Sequence, residues 1–391
     1  MHNKKRLIKL TQDLIRIDSQ NPPGNEKEIV FFIKKILERS GLSPRLVECG
    51  NNRYNVLAML RSSRAGQTLL LTPHLDTVPF GKGWKFPPLS ATRYKNKLYG
   101  RGATDCKANL AVGLELMRSL AEERIHLGYN ILFAATADEE AGSYHGLIPL
   151  LKKKIIQADY SLILDADEFN IIVAQKGLLH LRIFITGKKA HGAYPERGIN
   201  AIERATAFIE HLKALKFPHK KHPLLRPPTI NVGTIHGGDK VNMVADWCTI
   251  ELDIRYLPDM SKNVIIKTIT TVLQSLCKGA HFRLEIIAEQ EPCQIDRDHI
   301  LVRSLKYASR EIVGEVRLKG SEGATVMTIL DEYGIPTVAT GFGSQGCAHT
   351  TNEYVAVANL IKGYHLLRTF LLHFNTAVGA RKKIDKGILR A

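Results

Sequence analysis

Leu69-Leu70-Leu71-Thr72 runs straight into Pro73-His74-Leu75-Asp76-Thr77-Val78-Pro79, and that junction constrains the fold more than any other stretch. The short apolar run predicts a buried strand. Pro73 stops it and delivers an imidazole, then a carboxylate two residues on, at the strand's carboxyl end. Open α/β sheets gather their chemistry there. A nearby carboxylate fixes the tautomer of a metal-ligating histidine and raises its basicity. Taken alone, the same pair serves equally well as a turn hydrogen bond, so its meaning depends on what converges on it.

Three further chain segments place acidic groups at comparable points. In Gly100-Arg101-Gly102-Ala103-Thr104-Asp105 two glycines permit a tight turn, and a helix predicted over 110–122 begins just after Asp105. Asp105 by itself would also suit a helix cap. A strand predicted over 129–136 ends in Ala137-Asp138-Glu139-Glu140, and adjacent carboxylates repel unless solvent or a cation relieves them. The strand predicted over 160–164 ends at Asp165-Ala166-Asp167-Glu168. Together these ends describe an oxygen and nitrogen donor set suited to zinc or a similar divalent ion.

The 391 residues suffice for two domains. Composition is that of a soluble globular chain, with 44% hydrophobic and 24% charged residues. No apolar run reaches the roughly 20 residues that span a membrane. The basic amino terminus lacks a continuous apolar segment and reads as the start of a helix, not as a secretory signal. Six scattered cysteines without a CxxC pair argue against a disulfide framework and predict a reducing, cytoplasmic setting. The net charge of +17 raises nucleic acid as a partner. The excess is spread from Lys4 to Arg390, with no basic stripe interleaved by aromatics, so nucleic acid is not expected.

Along the chain, helices predicted over 4–18 and 26–40 flank Asn21-Pro22-Pro23-Gly24, which ends the first of them. Strands predicted over 54–60 and 68–72 read as a pair. After Lys176-Gly177 the pattern becomes β-α-β-β-α-β up to about residue 287, a compact ferredoxin-like unit. The α/β pattern then resumes, with a helix over 298–312, a strand over 337–340, a loop through His349 to Glu353 and a helix over 355–373. The predicted organisation is therefore a catalytic domain of residues 1–177 and 292–391, interrupted by an inserted domain of residues 178–291.

With His74-Leu75-Asp76, Gly100 to Asp105, Glu139-Glu140, Asp165 and Ala348-His349 in this order, the chain resembles a group of di-zinc amidohydrolases and peptidases. That group includes acetylornithine deacetylase, succinyl-diaminopimelate desuccinylase, aminoacylase, carboxypeptidase G and related dipeptidases. The resemblance runs from Asn21 to Glu353. It implies a zinc-exopeptidase-like α/β catalytic domain with a mixed central sheet, plus an inserted α+β ferredoxin-like dimerisation domain. It further implies two divalent metal ions, zinc foremost, with cobalt or manganese able to substitute. Asp105 would bridge both ions, His74 and Asp165 would complete one, and Glu140 and His349 the other. Glu139 matches the general base that activates the metal-bound water, and Asp76 the carboxylate behind His74. In the inserted domain His191 matches an oxyanion-stabilising histidine supplied across a homodimer interface. Asn242 and Arg255 match substrate-contacting positions, with the arginine fork suited to a substrate carboxylate. The group commonly has a cis peptide after the bridging aspartate, here Asp105–Cys106.

Three departures qualify the assignment. Cys106 stands where methionine is usual, and Gly341-Phe342-Gly343 where Gly-Pro-Gly is common. Glu322-Gly323-Ala324-Thr325-Val326 occupies the region where desuccinylases carry a Ser-Asp-Gly-Arg-type motif. The fifth ligand is aspartate, as in aminoacylase-like members, with Asp167 as the fallback if the register is off by two. The expected activity is metal-dependent hydrolysis of an amide bond in a small-molecule N-acyl amino acid or short peptide. An acetylornithine deacetylase or desuccinylase-like enzyme comes first, and a broader dipeptidase or aminoacylase second. A non-catalytic, metal-bound amino-acid-binding protein is the alternative of another class.

Overall fold

The computed structural model describes residues 2–50, 52–62, 66–165, 168–323 and 325–388. The chain forms two compact units, one of Met1–Val173, Ile295–Lys319 and Thr325–Ala391, the other of Ala174–Gln294 with Gly320–Ala324.

The first unit is built on a mixed sheet. Its strands lie in the order Arg45–Glu48, Tyr54–Leu60, Asn130–Ala135, Thr68–Thr72, Tyr160–Leu164, Thr337–Thr340 and Ile171–Gln175. The four central strands, Asn130–Ala135 to Thr337–Thr340, run parallel, and the flanking strands pair antiparallel. Leu69, Leu70 and Leu71 are all buried, each contributing about 1.5–3 kcal/mol by leaving water. Strands Tyr54–Leu60 and Thr68–Thr72 are not partners, contrary to the sequence reading, because Asn130–Ala135 lies between them. A strand apolar on both faces belongs inside a parallel sheet. Its pairing with Asn130–Ala135 on one edge and Tyr160–Leu164 on the other provides that place. The last helix runs Val357–Ile388, further than the periodicity predicts.

A small antiparallel sheet in the same unit pairs Tyr354–Ala356 with Lys97–Tyr99, and Lys97–Tyr99 with Thr92–Tyr94. It brings the segment after His349 alongside the segment leading to Asp105.

In the second unit the strands Thr229–Gly237, Trp247–Tyr256, Gly177–Thr186 and His281–Gln290 form one antiparallel sheet in that spatial order. Burial alternates along Gly177–Thr186 and Trp247–Tyr256, so one face is covered. Helices Ala201–Ala214 and Lys262–Leu276 cover it, with Leu181, Ile183, Phe208, Ile250, Ile254 and Ile269 in the shared core. The buried Lys176 forms an ion pair with Glu322 at 2.7 Å and donates to Pro227 O at 2.7 Å. The Gly320–Ala324 segment thereby joins this unit.

Candidate active site

The four parallel strands of the first unit each end just before an expected functional residue. Thr68–Thr72 leads to His74, Asn130–Ala135 to Glu139 and Glu140, Tyr160–Leu164 to Asp165, and Thr337–Thr340 into the loop carrying His349. Adjacent parallel strands share their carboxyl edge, so residues far apart in sequence meet there. Asp105 joins them from the turn before helix Lys107–Glu122. In that turn Gly102 has φ of +80°, and a Cβ on it would lie 2.8 Å from Thr77 Cγ2 and 2.9 Å from Lys107 Cδ. Only glycine suits that position. The Asp105–Cys106 peptide is cis.

All five expected ligand side chains meet. His74 Nε2 lies 2.9 Å from Asp105 Oδ1 and 3.2 Å from Asp165 Oδ1. His349 Nε2 lies 3.2 Å from the other oxygen of Asp105, Oδ2, and 3.1 Å from Glu140 Oε2. Asp105 thus stands between the two imidazoles, one carboxylate oxygen towards each. Asp167 lies outside the described residues.

The electrostatics follow from this crowding. Hydrogen bonds that His349 donates to Asp105 and Glu140 lift its imidazole to about 10. His74 is raised well above its ordinary value, the surrounding anions outweighing a burial that opposes it. Burial pushes Glu140 and Asp165 up. Glu139 is raised well above the usual carboxylate range, by burial first and then by the charge of Asp165. Among the described residues its carboxylate has no hydrogen-bond or ion-pair partner, unlike those of Asp105, Glu140 and Asp165. Three carboxylates compensated by two imidazoles form a donor set of nitrogen and oxygen that fits divalent cations. His74, Asp105 and Glu140 can place one ligand atom each within 4.8 Å of one another, and so can His74, Cys106 and Asp165.

The supporting residues are as ordered as the ligands. Asp76 is fully buried, and its carboxylate accepts from Glu139 N at 3.0 Å and Glu140 N at 3.1 Å. It faces His74 Nδ1 only at 3.6 Å, because that nitrogen is 2.9 Å from the Asp76 main-chain oxygen. Burial opposes ionisation of Asp76, but the nearby His74 imidazole and hydrogen bonds from Asn21 and Glu139 N outweigh it and hold its pKa down. Asn21, Arg53, Glu26, Arg101 and Glu353 were not singled out by sequence reasoning. Asn21 lies in a motif that looked like a helix stop, and long-range pairs such as Arg53–Glu26 leave no local pattern. Cys106 packs its sulfur 3.3 Å from both N and O of His74. Burial pushes its thiol up to about 12.

In the second unit His191 and Asn242 come together. His191 bridges to Met243, and Gly192 N donates to Asn242 O at 2.9 Å. Both side chains are exposed. Arg255 does not join them. It pairs in register with Leu178, whereas His191 follows Thr186 at the far end of the same strand, about 26 Å away along it at the usual rise per residue. Its fork is occupied by Asp253, at 2.7 and 3.1 Å.

The pattern of peptidase family M20/M25/M40 matches residues 70–373. The chain belongs to that family. It is 31% identical over 380 residues to the acetylornithine deacetylase of Edwardsiella ictaluri, covering 94% of this chain and 96% of that protein. It is 29% identical to the acetylornithine deacetylase of Proteus mirabilis, covering 96% and 97%. An aminopeptidase structure, PepT from Bacillus cereus, superimposes with a TM-score of 0.80 at 27% identity, covering 95% of this chain and 98% of that one. The M20/M25/M40 membership makes the chain a hydrolase of amide or peptide bonds, and the donor cluster is its candidate metal-binding site. Among the described residues, no helix is long and apolar enough to cross a membrane.

Proposed function

We propose that this chain removes the acyl group from a small N-acyl amino acid, in the manner of an acetylornithine deacetylase, using two zinc ions. The observation that carries the reading is Asp105 between His74 and His349, with one oxygen facing each. His74 and Asp165 would hold one ion, Glu140 and His349 the other, and Asp105 both. When bound, such ions lower the pKa of water and offset charge developing on the scissile carbonyl oxygen.

The chain's own groups supply the rest. Glu139 takes the proton of the attacking water on its carboxylate and passes it to the departing amine nitrogen. Asp76 keeps the Glu139 backbone in place through its 3.0 Å hydrogen bond, so Glu139 starts near its task. The inserted unit serves as the dimerisation domain of a homodimer, with His191 acting on the oxyanion of the partner's site and Asn242 beside it. Arg255 binds a substrate carboxylate only by giving up Asp253. The six free thiols support a cytoplasmic setting. Deacetylation is favoured by the similarity to the Edwardsiella enzyme across nearly the whole chain. The likeness to the Bacillus cereus aminopeptidase favours a second reading, hydrolysis of short peptides.

The deciding experiment combines elemental analysis with a panel of N-acetylornithine, N-succinyl-diaminopimelate, N-acetylmethionine and several di- and tripeptides. Wild type and Glu139→Gln are compared on each. About two zinc per chain, with fastest turnover of N-acetylornithine and a mutant rate at least 100-fold lower, is the expected result. Faster turnover of a peptide moves the assignment to the second reading. Bound metal without turnover of any substrate supports an amino-acid-binding role, and absence of stoichiometric metal overturns the mechanism.

A further inference from the structure

The loop that carries His349 ends four residues later in a carboxylate that no part of the proposed reaction uses. Glu353 is fully buried. Its Oε1 accepts from Thr104 N at 2.7 Å and Asp105 N at 3.0 Å, and its Oε2 from Gly102 N at 3.0 Å and Arg101 Nη1 at 2.8 Å. Each oxygen therefore has two donors, and three of the four are main-chain N–H groups of the segment that presents Asp105. Arg101 extends the lacing through the same guanidinium. It donates to Thr350 O at 3.1 Å, next to His349, and to Pro79 O and Phe80 O at 3.2 Å, beyond Asp76. Thr104 Oγ1 donates to Tyr354 O at 2.7 Å, and Gly100 N to Glu353 O at 3.0 Å.

We propose that Glu353 is a positioning residue that fixes Asp105 opposite His349 and so sets the affinity of the metal cluster. The inference rests on the reading of Asp105 and His349 as ligands. Asp76 offers the parallel within the same unit, since its carboxylate gathers Glu139 N and Glu140 N as Glu353 gathers Thr104 N and Asp105 N. Each of these carboxylates orients a peptide from which a site residue projects. Hydrogen-bonded groups behind metal ligands typically govern affinity, and their loss weakens binding roughly 10- to 100-fold. A carboxylate is required because all four groups facing it are donors. A carboxamide would turn its own NH2 towards two of them.

The test uses the full chain as wild type, Glu353→Gln and Glu353→Asp. Zinc affinity is measured by competition with a chromophoric chelator, the cobalt(II) absorption spectrum is recorded, and urea unfolding of the metal-free proteins is followed separately. Glu353→Gln is expected to bind zinc roughly 10- to 100-fold more weakly, with an altered cobalt spectrum. Glu353→Asp keeps the buried charge beside Arg101 but, one methylene shorter, cannot reach all four donors. It is expected to recover stability while zinc affinity stays low, a separation that a merely structural residue would not give. Zinc affinities within twofold of wild type in both variants overturn the proposal, whatever the loss of stability. So does failure of both variants to fold in the presence of zinc, which would make Glu353 a folding residue. A wild type that binds no metal overturns the underlying ligand assignment, and this outcome is distinguished by the wild-type titration alone.

Discussion

The Asn21 carboxamide donates to Asp76 Oδ2 at 2.8 Å across 55 positions of sequence, and the same nitrogen lies 3.0 Å from Asp138 Oδ1. One side chain from the first interhelical turn thus ties the residue behind His74 to the residue preceding Glu139. All three groups are buried. Asn21 also fastens its own loop, donating its main-chain N–H to Thr77 O at 2.8 Å.

Asn21→Ala leaves two buried carboxylates each short of a donor, at about 1.5–3 kcal/mol per charged hydrogen bond. Stability should fall by roughly 3–6 kcal/mol on that scale, as measured by the urea midpoint. Because the Glu139 peptide loses part of its support, kcat should fall by about tenfold or more while KM changes little. Steady-state kinetics on the best substrate of the panel would check this. An unchanged kcat would show that Asp76 holds Glu139 without help.

Arg53 sits behind the same cluster. Its guanidinium pairs with the fully buried Glu26, through Nε at 2.6 Å and through Nη2, and Nη2 lies 3.2 Å from Asp138 Oδ1. Arg53→Met would strand the buried Glu26 and take one partner from Asp138, which keeps Asn21 and His145 N, and removing one partner of such a pair costs about 3–5 kcal/mol. Gly24 gives an independent check, because it adopts φ of +97° and a Cβ there would lie 2.3 Å from Arg53 Cζ. Gly24→Ala should therefore destabilise in the same direction. Chemical denaturation of both variants measures the effect, and Gly24→Ala at wild-type stability would refute this account of the packing.

Sequence reasoning reached the strand ends because their signal is local. Leu69–Leu71 before Pro73, and Asn130–Ala135 before Asp138-Glu139-Glu140, announce both a strand and what it delivers. The convergence of His74, Asp105, Glu140, Asp165 and His349 follows from parallel topology once those strands are assigned. Pairing was harder to read. Tyr54–Leu60 and Thr68–Thr72 are neighbours in sequence, yet the strand between them comes from residues 130–135. Beyond Asp76, the supporting network was not legible. Glu353 meets Asp105 N over 248 residues and Arg53 meets Glu26 over 27, and neither contact leaves a periodicity. Arg255 shows the converse, since residue type suggested a free fork where Asp253, two positions away on the same strand, already fills it.

Removal of metal bears on the whole cluster. Ligands that hold ions only in the folded state couple binding to stability. Dialysis against a chelator should abolish turnover and lower the melting temperature by several degrees, about what 1–2 kcal/mol of lost binding energy implies for a chain of this size. Zinc should restore both. In the stripped protein His349 is expected to remain protonated at neutral pH, because Asp105 and Glu140 raise it to about 10. Proton release on adding zinc, followed in weakly buffered solution, would test that directly. Binding without proton release would contradict it.

Glu322 supplies a pH dependence in the second unit. Burial pushes its carboxyl up, but the N–H of Arg226 at 2.9 Å and the ammonium of Lys176 at 2.7 Å outweigh this and hold its pKa below 4.5. A carboxyl depressed in the folded state contributes stability that is fully present above its unfolded value. That contribution is lost as pH falls from about 4.5 through the lower folded value, because the unfolded chain then binds the extra proton. Protonation also leaves the buried Lys176 with Pro227 O as its remaining partner among these contacts. Glu322→Gln should thus cost on the order of 2 kcal/mol at pH 7 and progressively less below pH 4.5. Urea unfolding of both proteins from pH 3 to 7 measures the difference. Parallel stability curves would mean that Glu322 does not bear this linkage, whereas convergence at the acid end assigns it to the Glu322 carboxylate.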